Sequence, residues 1–97
     1  MNRAKQVVVR SSQSGVWIGV LASSEPDGPG TVRVALTGAR RIWSWQGAGS
    51  CSGLAAYGPR SGRIAPPIEA VIGGCCEVLT ATSEAIAAIE QIAEWRP

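Results

Sequence analysis

Residues Thr31–Trp45 read TVRVALTGARRIWSW, and the spacing of their apolar side chains decides the fold. Val32, Val34 and Leu36 alternate with Thr31, Arg33 and Ala35. That two-residue period belongs to a strand with one buried face. Thr37-Gly38-Ala39 permits a bulge or bend, after which the strand resumes over Arg40–Trp45. Just upstream, Ser23–Gly30 (SSEPDGPG) is a reversal, because Pro fixes φ and Gly frees it where a hairpin turns. Before it come two further stretches rich in β-formers, Gln6–Arg10 (QVVVR) and Gly15–Ala22 (GVWIGVLA), separated by the polar turn Ser11–Ser14.

Downstream, Gly47–Gly58 (GAGSCSGLAAYG) begins glycine-rich and turns apolar. Ser50 or Ser52 suits the cap of a short helix near residues 50–58, with Gly58 as a left-handed C-terminal stop. Pro59–Pro67 reads as an irregular basic loop holding Arg60 and Arg63, and Ile68–Thr80 as a strand broken or bulged at Gly73-Gly74. Thr82 is a fitting N-cap for a helix over residues 82–95, with Glu84 in its first turn. Ile86, Ile89 and Ile92, with Ala85 and Ala93, form its apolar stripe, and Trp95 anchors its end. The expected fold is therefore one α+β domain over residues 1–97: a small antiparallel sheet of about five strands, a short helix and a C-terminal amphipathic helix.

The chain has 97 residues, and with four Trp, one Tyr and no Phe its core must rest on small aliphatics. Such a core gains from a second buried surface, so a homo-oligomer, a dimer or tetramer, is expected. Residues 1–64 hold eight cations against two carboxylates, net +6, whereas residues 65–97 hold one against five, net −4. Seven of those eight cations are Arg, which favours a discrete anion site. Long nucleic acid demands more positive charge than this. Three cysteines, two of them the adjacent Cys75 and Cys76, suit free thiols in a reducing cytoplasm. Neither a signal peptide nor a membrane-spanning run is expected.

Enzyme chemistry is poorly supplied. The chain has no histidine, so Ser-His, Cys-His and His-based metal sites have no basis, and no metal or other cofactor is expected. Glu69 and Glu77 read as solvated strand carboxylates, and Cys51 as a small packing residue. The loop Gly47–Gly53 matches neither nucleotide-binding glycine pattern, since no Lys follows and no βαβ unit surrounds it. It does offer N–H groups and the hydroxyls of Ser50 and Ser52 beside a helix start.

The remaining chemistry lies in Arg and Trp. In a regular strand Arg41, Trp43 and Trp45 share one face and Arg40, Ile42 and Ser44 the other, so the two indoles are expected to be buried or exposed together. A guanidinium fork pairs with phosphate, and an indole stacks on a flat base. One reading is a nucleotide-holding face of Trp17, Arg40, Arg41, Trp43 and Trp45, with Ser50, Ser52 and Arg60 reaching phosphate or ribose oxygens. The other is a half-buried strand whose indoles fill the core and whose loop arginines are solvated.

Ser14–Gly19 (SGVWIG) and Ala39–Ala48 (ARRIWSWQGA) resemble a family of small phage and prophage proteins with the motif ARRIWxWxGA. The likeness extends over residues 7–95, with Leu54–Gly58, Ile64–Thr80 and Thr82–Trp95 standing for the family's later elements. It departs at Trp17, where the family often has His, in Gly49–Gly53, and in the inserted Pro59–Arg63 loop. The resemblance implies an anti-CBASS sponge, an oligomer that sequesters the cyclic di- and trinucleotide signals of bacterial antiphage defence without cleaving them. Such a protein acts in the host bacterial cytoplasm. The alternative is a phage module that blocks a host protein through its Arg/Trp face, since both residue types dominate interface hot spots. A binder of single-stranded nucleic acid ranks third.

Overall fold

Val7, Val8 and Val9 are all fully buried in the computed structural model, which describes residues 5–95. Three successive strand residues can all be buried only if both faces of the strand are covered. That condition defines the architecture. The elements in chain order are β1 (Gln6–Ser11), β2 (Gly15–Gly28), β3 (Thr31–Gln46), α1 (Cys51–Ala56), β4 (Ser61–Ile64), β5 (Ile68–Thr80) and α2 (Ser83–Glu90). Every strand pairing is antiparallel, in the order β2-β1-β5-β3-β4. The structure is thus the α+β fold the sequence implied.

Because β2 also pairs with β3, four of the strands close into a ring. Closure removes exposed edges, which a small sheet must otherwise protect. One apolar cluster draws on all four ring strands: Val7, Val9, Val34, Leu36, Ala39, Ile72 and Cys75, with Trp17 and Leu21 against them. A second cluster joins the sheet to the helices, where Val8, Ile18, Ile42 and Ile64 meet Leu54, Ala55 and Ile89.

The β2–β3 hairpin is longer than its sequence suggests. The eight-residue reversal of the sequence stays paired almost to its end, and only Pro29-Gly30 turns, with Gly30 at φ +73°. Cross-strand polar contacts hold this arm, including an ion pair between Arg33 and Glu25. Asp27 accepts hydrogen bonds from the Thr31 hydroxyl (2.7 Å) and from the backbone N–H of Gly74 (2.8 Å). The Gly74 N–H and then the Thr31 hydroxyl hold the Asp27 carboxyl below its usual range. Gly74 itself has φ +65° and lies where the β5 register jumps, as the Gly73-Gly74 pair implied.

Ser50 caps α1, its hydroxyl accepting from the N–H of Gly53 at 3.2 Å, and Gly58 follows at φ +79° with its N–H on Leu54 O. A Cβ at Gly58 would sit 2.6 Å from Ala88 Cβ, so the glycine also lets α1 and α2 touch. Thr82 caps α2 by accepting from Ala85 N (3.1 Å), and its own hydroxyl donates to Ala56 O (2.6 Å).

Two boundaries differ from the sequence reading. The C-terminal helix ends at Glu90 rather than continuing to Trp95, and Ala93 is exposed. The chain leaves the helix there because Glu94 bridges to Ile64, with the Trp95 N–H donating to Ile64 O at 2.9 Å. The basic loop Pro59–Pro67 contains β4, whose Gly62 lies so close to β3 that a Cβ would clash with Ser44 O. Among the described residues, no helix is long and apolar enough to cross a membrane.

Candidate ligand-binding face

Register on the two sides of β3 determines where its aromatic residues go. Toward β2, Trp17 faces Arg41 and Val16 faces Ile42 in unbroken step. Toward β4, Ile42 faces Ile64 but Ser44 faces Arg63, so β3 carries one extra residue between them. This bulge at Trp43 resets the alternation of the side chains. Trp45 consequently packs beside Ile42 against the helix-side core, and its indole N–H donates to Ala48 O at 3.0 Å. Trp43 stays with Arg41 on the opposite face and is 46% exposed. The expectation that Arg41, Trp43 and Trp45 share a face, their indoles buried or exposed together, is therefore incorrect: it assumed an unbroken strand.

Arg41 is the centre of the exposed face. Its guanidinium lies 3.9 Å from the ring centroid of Trp43 and 5.9 Å from that of Trp17. Room for it comes from Gly15 (φ +83°), where a Cβ would stand 3.1 Å from Arg41 Nη2. Trp17 is held by its indole N–H, which donates to Ser14 O at 2.9 Å. On the far side, Trp43 meets Trp95 edge to face, with centroids 5.8 Å apart and planes at 67°. Arg63 of β4 then lies over Trp95 at 5.3 Å. The result is a ladder, Trp17–Arg41–Trp43–Trp95–Arg63, assembled from β2, β3, β4 and the segment after α2.

The two guanidiniums of the ladder differ from those of Arg10, Arg33 and Arg40. Arg10 pairs with Glu77 at 2.7 Å, Arg33 pairs with Glu25, and Arg40 Nε donates to Ala65 O at 2.9 Å. Among the described residues neither Arg41 nor Arg63 has a carboxylate partner or a side-chain hydrogen bond. A guanidinium stacked on an indole keeps its N–H edge free, the arrangement that receives a phosphate or carboxylate.

Of the residues singled out from sequence, the structure brings together Trp17, Arg41 and Trp43. Arg40 points the other way, into a recess of about 250 Å³ lined by Gln6, Ile18, Val20 and Ile86. Alternation thus separates the adjacent arginines, and Arg41 is the one on the Trp face. Trp45 borders a groove of about 330 Å³ with Gln46, Ser61 and Arg63. Ser50 is engaged as a helix cap, Ser52 is exposed on α1, and Arg60 lies across Gly47, 2.7 Å from where its Cβ would be. None of these three shares a ring contact with the ladder. Trp95 and Arg63 were not among the site residues inferred from sequence. Arg63 had signalled itself only as a cation of the basic loop, and Trp95 only as a helix anchor.

Other reactive groups lie apart from this face. Burial pushes the thiols of Cys51 and Cys75 up, away from the reactive thiolate. Among the described residues, no group of three or more His, Cys, Asp or Glu is placed to hold a metal ion.

Fold and face together define a small ring-closed α+β domain that displays an arginine–tryptophan ladder. Residues 4–89 match the family model described as a domain of unknown function (DUF6948), and the chain belongs to that family. The matched segment includes four rungs of the ladder and ends before Trp95. No curated protein and no solved structure matches the chain.

Proposed function

We propose that this protein binds and sequesters cyclic oligonucleotide second messengers of bacterial antiphage defence, returning them unchanged. The observation that supports this reading best is the Arg41 guanidinium, stacked on Trp43 with its hydrogen-bonding edge engaged by none of the described residues. A phosphodiester fits that edge, and the half-exposed indoles offer faces to a purine. The resemblance to ARRIWxWxGA phage proteins supplies the biological setting, a phage-encoded sponge acting as a homo-oligomer in the host bacterial cytoplasm. Binding without cleavage accords with a chain that has no histidine and whose Cys51 and Cys75 thiols are buried.

The test is a thermal-shift screen of the full chain against cyclic di- and trinucleotides, followed by heat release and chromatography of the ligand. A rise in unfolding midpoint with at least one of them, and recovery of that compound intact, is the expected result. Recovery of a linear product would convert the reading into a nuclease. No shift with any of them would replace it by the second reading, a module that blocks a host protein through the same exposed Trp43 and Arg41.

A further inference from the structure

We infer that Arg63, stacked on Trp95, is a second anion-binding point of the same face, so that the site selects ligands with two or more phosphates over ligands with one. This rests on the nucleotide-binding reading of Arg41. The two halves of the ladder repeat one chemistry: a guanidinium over an indole at 3.9 Å on the Arg41 side and at 5.3 Å on the Arg63 side. The two indoles touch edge to face, so both cations sit on one connected aromatic surface. Two anion points carried on one surface lower the ordering cost of a ligand that engages both.

Two further observations make Arg63 more than a solvated loop cation. It lies on β4 and faces Ser44 in the sheet, so its backbone is paired. Its aromatic partner is pinned as well, because the Trp95 N–H donates to Ile64 O, next to Arg63 in β4. Arg63 also borders the groove beside Ser44, Gln46 and Ser61, which places hydroxyl and amide groups along one flank of the anion point. A cyclic di- or trinucleotide presents two or three phosphodiesters on one ring. Cyclic AMP presents one.

The experiment measures affinities of wild type, Arg63→Gln and Arg41→Gln, as full chains, for cyclic di-AMP, cyclic di-GMP, cyclic tri-AMP and cyclic AMP. Unfolding midpoints are recorded alongside, and exposed Arg63 is replaced without loss of core packing. Wild type is expected to prefer a compound with several phosphodiesters over cyclic AMP. Arg63→Gln is expected to cut that preference by about tenfold, the scale of one charge-assisted hydrogen bond. If Arg41→Gln weakens binding while Arg63→Gln leaves the preference at its wild-type value, the second anion point is wrong and the binding reading stands. If wild type binds none of the four, both fall.

Discussion

Arg41→Ala is expected to weaken binding of a cyclic oligonucleotide by about 10- to 150-fold, the range for losing a hydrogen bond to a charged group. The prediction follows from position. Arg41 lies between Trp17 and Trp43, so its removal deletes the cation and one contact of each ring. Its cost to the fold is expected to be small, since an exposed cation–π contact contributes only about 0.5–1 kcal/mol. Calorimetric titration beside thermal unfolding separates the two effects. Unchanged affinity in a folded Arg41→Ala protein would remove Arg41 from the site, and with it the main support for nucleotide binding. Arg40→Ala is the informative companion, because that side chain lies on the other face of β3 and is expected to leave affinity close to wild type.

Leu54→Ala should have the largest effect on stability. Leu54 is fully buried where α1 meets Val8, Ile18, Ile64 and Ile89. Truncating such a leucine costs about 2–5 kcal/mol, part from lost burial and part from the cavity left behind. Against a total of roughly 5–15 kcal/mol for a domain, that is a large share. The unfolding midpoint should drop by about 10 °C or more, at about 4–8 °C per kcal/mol for a chain of this size. The loss should extend to the ladder, because α1 supports α2 through the Thr82–Ala56 bond and α2 leads into the Trp95 segment. Tyr57→Ala, one turn on and 67% exposed, should stay within about 0.5 kcal/mol of wild type. Equal midpoints for Leu54→Ala and Tyr57→Ala would contradict the helix-side core.

Local signals in the chain specify most of the elements. The alternation of Val32, Val34 and Leu36, the cap at Thr82, the stop at Gly58 and the bulge at Gly73-Gly74 each appear where local chemistry places them. The ring closure is not legible, because it depends on β2 reaching β3 and β1 at once, a property of pairing rather than of any segment. For the same reason β4 was hidden inside a Pro- and Gly-bounded basic stretch: its four residues become a strand only beside β3. The candidate site was half legible. Arg41, Trp43 and Trp17 follow from composition and strand period. Trp45 was misplaced because an extra residue at Trp43 reverses the facing of everything after it, and nothing in Ile42-Trp43-Ser44 announces the bulge. Trp95 reaches the ladder only through a bridge to Ile64, which a continuous helix would have prevented.

The most direct test uses the four indole N–H signals in a two-dimensional NMR titration with the cyclic oligonucleotide that binds tightest in the thermal-shift screen. Trp43 is expected to shift most, with Trp17 and Trp95 following, while Trp45, whose indole N–H is bonded to Ala48 O, shifts least. Movement of Trp45 alone, or of none of the four, would contradict a ligand seated on the arginine–tryptophan ladder.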